Sequence, residues 1–436
     1  MALKRLLITV LLGLLSTTTL YAGPKIQAWQ TANGAKVLFV PAPEIPMLNV
    51  RVVFDAGSAR DGDKPGVTSF TNSLLTQGAG AWNANQIAER LENVGAELGV
   101  GSLRDMAWAS MRTLTEPKAL NTALETLATV LANPRFDEVD IERKRKGILA
   151  SLLHDEQSPG SIGKKALYRK VYGDHPYAGD PQGTRESVKS IQQKDLMATH
   201  KRLYVARNAV IAIVGAVERA QAEDIADQVS KGLAAGEHVP PLPEVLPLDV
   251  AMIERIEYPS TQAHIYVGQP GIRRGDRDYF PLYVGNHILG GSGLVSLLSK
   301  EVREKRGLSY SVYSHFLLMR QTGLFQLGLQ TKNAQAVGAL QVLNDTLRRF
   351  VKQGPTQEEL KAAKQNITGG FPLRIASNSK IVEYLAVIGF YGLPLDYLDT
   401  FTGKVEKVTA EQIRDAFQRR VDLERMVTVQ VGRLAE

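Results

Sequence analysis

The chain has 436 residues, 44% of them hydrophobic and 22% charged, a composition that fits a folded protein long enough for two or more domains. It has no cysteine, which excludes disulfides, thiolate metal ligands, a cysteine nucleophile and a lipid-modified N-terminal cysteine. The formal charge of +7 is spread without a dense basic run, which argues against nucleic acid as a partner and leaves a mildly basic face suited to acidic peptides or a membrane surface.

Lys4 and Arg5 precede an apolar run, Leu6 to Leu15, and small and polar residues follow as far as Leu20-Tyr21-Ala22. This pattern predicts a secretory signal peptide, residues 1–22, cleaved after Ala22. The run is about half the ~20 residues that span a bilayer, and no later segment is long and apolar enough, so no integral membrane segment is expected after cleavage. An exported chain without disulfides points to a bacterial periplasm.

Val37–Val40 and Leu48–Phe54 read as strands, followed by a polar turn through Arg60-Asp61-Gly62-Asp63. Gly66 to Leu75 then reads as a helix with Val67, Phe70, Leu74 and Leu75 on one side. Ile87, Leu91 and Val94 mark a second helix, and Glu97 to Leu114 two strands around a turn at Ser102–Asp105. Leu120 to Leu131 gives a third helix, stopped at Asn133-Pro134, and Phe136-Asp137 opens a long charged one through Leu152. Lys194–Leu203 is helical and Ala209–Val214 a buried strand. The proline-rich stretch 236–249 reads as a linker.

The second half repeats the first. Val188–Gly215 aligns without gaps on Val405–Gly432 at an offset of 217, and Asp55–Leu75 on Gln269–Leu289 at an offset of 214. Two domains of one α+β fold are expected, at 23–235 and 250–436. Gly290-Gly291-Ser292-Gly293 lacks the ending of a phosphate loop and reads as a flexible turn, and Gly369-Gly370-Phe371-Pro372 as a helix stop or hinge.

Several stretches in this order resemble the pitrilysin/insulinase-type zinc peptidases, the inverzincin group. They include Asp55–Arg60, the Gly66 helix, Asn133-Pro134-Arg135-Phe136, Ile141-Glu142-Arg143-Lys144, Leu289-Gly290-Gly291 and Arg303 to Tyr310. The resemblance covers nearly all of the mature chain. It implies two similar domains, each a mainly antiparallel sheet covered by helices, forming half of a clamshell around a peptide. In that family His-x-x-Glu-His and a downstream Glu hold zinc, with an open position for water.

Here Ser69 and Ser73 stand at the imidazole positions and Asn72 at the base; the downstream Glu falls at Ala150 or Ser151. None of the seven histidines precedes His154, and His154, His175 and His200 lack metal-site spacing. A serine hydrolase would want a nucleophile elbow, which is missing around Ser69 and Ser73. No metal or other cofactor is expected in this chain. The resemblance also implies an Arg and a Tyr seven residues apart that reach a zinc site across the clamshell, matched by Arg303 and Tyr310, with Arg306 the near competitor. A guanidinium and a phenol there would bind the substrate carbonyl and the developing oxyanion. Ser296-Leu297-Leu298 departs from the family's Ser-Arg-Leu.

Two readings follow. In one, the chain is the non-catalytic subunit of a heterodimeric zinc peptidase, giving Arg303 and Tyr310 in trans to a homologous partner that carries the zinc and cleaves a peptide substrate. In the other, it is an independent peptide-binding or structural envelope protein, holding peptides along a sheet edge.

Overall fold

The computed structural model describes residues 25–433; the signal-peptide reading of residues 1–22 lies outside them. The first half runs β1 (Gln27–Gln30), β2 (Lys36–Pro41), β3 (Met47–Phe54), α1 (Val67–Leu74), β4 (Gly78–Ala79), β5 (Trp82–Asn83) and α2 (Ala84–Glu92). It continues through β6 (Glu97–Ser102), β7 (Ala107–Leu114), α3 (Pro117–Ala132), α4 (Glu138–Glu156), α5 (Pro159–Tyr172), α6 (Arg185–Ser190), α7 (Gln193–Leu203), β8 (Ala209–Gly215) and α8 (Arg219–Ser230). The second half has β9 (Met252–Glu257), β10 (Gln262–Pro270), α9 (Tyr279–Asn286), β11 (Val312–Phe316), β12 (Leu324–Lys332) and α10 (Ala336–Gln353). It ends with α11 (Gln357–Arg374), α12 (Asn378–Tyr391), α13 (Tyr397–Glu406), α14 (Ala410–Arg420) and β13 (Val427–Gly432).

One sheet has the order β1-β2-β8-β3-β7-β6 and the other β11-β12-β10-β13-β9. Apart from β1 these are the same order. In each, one pair is parallel, β2 with β8 and β9 with β13, and the remaining pairs are antiparallel. The continuous apolar run Ala209–Gly215 is buried at every position because helices cover both faces of its sheet. The offset of 217 holds to the residue: α7 falls on α14, and the short turn Ala206–Asn208 on Leu423–Arg425. Both helices start from a capping box, Gln192 with Asp195 and Thr409 with Gln412.

Each sheet is covered on one side by a helix from the other half. α5 crosses to the second sheet, where Gly163 meets Tyr266 and Val431, and the Tyr266 hydroxyl donates to Gly160 O. α12 crosses to the first sheet, with Gly389 against Val210 and Leu38. A Cβ on Gly163 or Gly389 would lie 2.5 or 2.4 Å from its neighbour, so only glycine lets these helices seat. Leu38, Val53 and Val210 thereby share one core with Leu385 and Ile388. Each such buried side chain contributes on the order of 2 kcal/mol.

A buried polar latch joins the halves. Asp105, 4% exposed, accepts hydrogen bonds from the Tyr177 hydroxyl, Arg320 N (2.6 Å) and the Tyr391 hydroxyl (2.9 Å). Segment 236–249 forms neither helix nor strand, yet it is pinned. Arg60 donates to Pro240 O, Gln321 to Leu242 O, and His175 bonds Pro243 O.

Two local expectations are corrected. The Gly369–Pro372 stretch lies inside α11, not at its stop. Phe371 stacks on Phe401 at 4.6 Å and is buried, and this packing holds the helix through Pro372, which forgoes one backbone hydrogen bond. Gly290 is not in a loose turn either: residues 287–291 form a π-helical turn, and a Cβ on Gly290 would meet Ser314 N at 2.5 Å.

Candidate functional site

The start of α1 is built by two features. Gly66 adopts a left-handed φ of 89°, and a Cβ there would strike Gln182 O. Asp61 accepts from Gly66 N, Thr68 N and the Thr68 hydroxyl, closing the open end of the helix. Burial outweighs these bonds and pushes the Asp61 carboxyl up to about 6. Val67, Phe70 and Leu74 then pack on Ile141, Ile191 and Leu196, which fixes the rotation of the helix.

That rotation leaves Ser69 and Ser73 half-buried and Asn72 buried. The Ser73 hydroxyl donates to Phe70 O in its own helix. Asn72 Nδ2 donates to the Tyr204 hydroxyl (3.1 Å) and to Trp108 O (3.4 Å). Ala150 and Ser151 lie exposed on α4. Two hydroxyls, an inward amide and an alanine or serine do not fit zinc: no imidazole or carboxylate is present, and Asn72 cannot take a proton from water. The histidines do not rebuild the site. His200 stacks on Tyr204 and bonds Leu131 O, while His175 bonds Pro243 O and accepts from Tyr177 N. His154 is exposed. Among the described residues no cluster of three or more His, Asp or Glu is arranged to hold a metal ion.

Arg303 and Tyr310 are brought together. Arg303 lies in a π-helical turn, Ser299–Glu304, and its guanidinium carbon stands 4.8 Å from the Tyr310 ring centre. Tyr310 is 84% exposed. Among the described residues neither side chain makes a hydrogen bond or ion pair to another. Arg306 differs: it donates to the Glu301 carboxylate and to Glu301 O, both at 2.8 Å. Glu301, 7% exposed, also pairs with Lys305 and Arg349. Burial alone would raise this carboxyl, but the three cations outweigh it and hold it down to about 2. Glu301 therefore ties down Lys305 and Arg306, which follow its turn, and leaves Arg303 without an ion pair among the described residues. Its importance was missed in the sequence, where only the Glu301–Lys305 spacing of four hinted at it.

Strand β6 is an edge of the first sheet, and α1 packs beside it. Its outer row of backbone donors and acceptors is open for another strand. No helix of the described residues is long and apolar enough to cross a membrane.

Comparison with known proteins agrees with this geometry. A family model described as Insulinase (Peptidase family M16) matches residues 36–184, and one described as Peptidase M16 inactive domain matches residues 190–367. The crystal structure of the peptidase M16 inactive domain from Pseudomonas fluorescens is 40% identical, with a TM-score of 0.92 over 94% of this chain and 98% of that one. The non-peptidase homolog YmxG of Helicobacter pylori is 26% identical over 428 residues, 96% of this chain and 96% of that protein. A protease structure from Helicobacter pylori, 19% identical, shares the fold with a TM-score of 0.86, covering 94% of this chain and 99% of that one. The chain belongs to the insulinase-type peptidase M16 family, as an inactive homologue with Ser69, Asn72 and Ser73 where the zinc motif would stand.

Proposed function

We propose that this chain is the non-catalytic subunit of a periplasmic zinc metallopeptidase heterodimer, supplying Arg303 and Tyr310 to a homologous metal-bearing partner that cleaves peptides. The observation that carries the reading is the state of that pair. A guanidinium and a phenol stand together at the surface with no hydrogen bond or ion pair to any other described residue, while Glu301 ties down Arg306 and Lys305 beside them. Such a pair suits a carbonyl or oxyanion presented from outside the chain. Edge strand β6 would hold the peptide by strand addition.

The test is co-expression of the mature chain with a zinc-motif relative from the same cell, with purification through a tag on this chain. Zinc-dependent cleavage of a quenched peptide library by the pair only, reduced by Arg303→Ala and Tyr310→Phe without loss of co-purification, is the expected result. Stable association with cleavage indifferent to both substitutions would replace the reading by a structural role. No association would favour an independent peptide-binding protein.

A further inference from the structure

The second half carries its own counterpart of the metal-site helix. At the offset of 214, Ser69 and Ser73 fall on Tyr283 in the middle of α9 and His287 at the start of the π-helical turn. These positions are half-buried, as Ser69 and Ser73 are. What surrounds them is a row of hydrogen-bond donors.

Arg374 at the end of α11 donates to the Tyr283 hydroxyl at 2.9 Å and also meets the Tyr384 hydroxyl on α12. Each phenol thus accepts from the guanidinium and keeps its own O–H to donate. Tyr283 stacks on Tyr279 with ring centres 5.6 Å apart. The Tyr397 hydroxyl donates to Tyr279, which again leaves the Tyr279 O–H over. Beside Tyr279 and Tyr397 stands Arg274, 5.2 Å from the Tyr391 ring centre. Its Nε is buried with no hydrogen-bond partner. Among the described residues no carboxylate pairs with Arg274 or Arg374. Burial pushes the Tyr279, Tyr283 and Tyr397 phenols above their ordinary range, so all three remain O–H donors at neutral pH.

Among the described residues, Arg374 is met only by neutral phenol oxygens, and Arg274 Nε has no acceptor at all. A buried donor left unmatched costs about 1–3 kcal/mol, and an arginine fork is matched in geometry by a carboxylate. We infer that Arg274, Arg374 and the hydroxyls of Tyr279, Tyr283 and Tyr384 form a binding site for the carboxylates of an acidic peptide. The row draws on α9, α11 and α12 and has a cation at each end, which suits an extended ligand with several carboxylates better than one compact anion.

The site can be tested on this chain alone, so its failure is separate from that of the proposed heterodimer. Fluorescein-labelled hexaglutamate is titrated with the mature protein at low ionic strength and followed by anisotropy, with hexaglutamine as the neutral control. Saturable binding of hexaglutamate only is expected. It should weaken about tenfold in Arg374→Gln and about threefold in Tyr283→Phe, from the loss of a charged and a neutral hydrogen bond. Arg348→Gln, which removes an equal charge elsewhere on the surface, should leave it unchanged. Arg374 is exposed, and circular dichroism of its variant should match the parent. Equal binding by all variants, or equal binding of hexaglutamine, would overturn the site. Displacement of the peptide by inorganic phosphate at lower concentration than by glutarate would overturn the assignment to carboxylates.

Discussion

Replacing Asp105 by alanine should loosen the two halves from each other. Its carboxylate is nearly enclosed and accepts from Tyr177 of the first half and from Arg320 N and Tyr391 of the second. A hydrogen bond to a charged acceptor is worth roughly 1.5–3 kcal/mol. Three would give roughly 5–9 kcal/mol if nothing relaxed, but water enters the hole and the phenols turn toward it. Breaking one side of a comparable buried network costs about 3–5 kcal/mol, and that is the loss expected for Asp105→Ala. Asp105→Asn keeps one carbonyl acceptor and should lose about half as much. Domains are stable by only about 5–15 kcal/mol, so the effect is large. Urea titrations followed by tryptophan fluorescence read it directly, because Trp108 lies on β7, the strand that follows Asp105. The midpoint should fall with little change in slope. A loss below about 1 kcal/mol would refute the claim that this latch couples the halves.

The crossing helices make a second prediction: Gly163→Ala and Gly389→Ala should each cost about 1–3 kcal/mol in the same titration, since each Cβ meets a packed side chain. Unchanged midpoints would mean that the helices shift freely on the sheets. Acid stability should depend on Asp278 and Glu301. Hydrogen bonds from Arg419 against burial, joined by Arg420, hold Asp278 down to about 2, and Glu301 is held equally low. Both pKa values are depressed in the folded state, so their stabilisation is full above about pH 5 and is lost as the pH falls toward about 2. Asp278→Asn with Glu301→Gln should flatten the fall in urea midpoint across that window, and an unchanged fall would contradict it.

The repeat was legible because its signals are local. Caps at Gln192 and Thr409, apolar spacing in α7 and α14, and the buried runs of β8 and β13 recur at one offset. Loss of the metal site needed only residue types, since serine and asparagine cannot replace two imidazoles and a base. The crossing of α5 and α12 was not legible. A helix pattern shows that a face is apolar, not that its partner sheet lies hundreds of residues away, as Gly389 on Leu38 shows. Gly369 and Gly370 suggested a stop because propensity is local, while Phe371 packing is not. The tyrosine row draws on three separate helices, and nothing in the spacing of Tyr283, Arg374 and Tyr384 links them.

The central claim is that a zinc-bearing partner borrows Arg303 and Tyr310 from this chain. The most direct measurement is kcat per assembled pair for one defined peptide, with Arg303→Ala against the parent, at matched zinc content and matched complex concentration. The account predicts a fall of about a hundredfold in kcat with a smaller change in KM, because an oxyanion donor acts in the transition state. The same kcat with and without Arg303, in a complex that still forms, would contradict it.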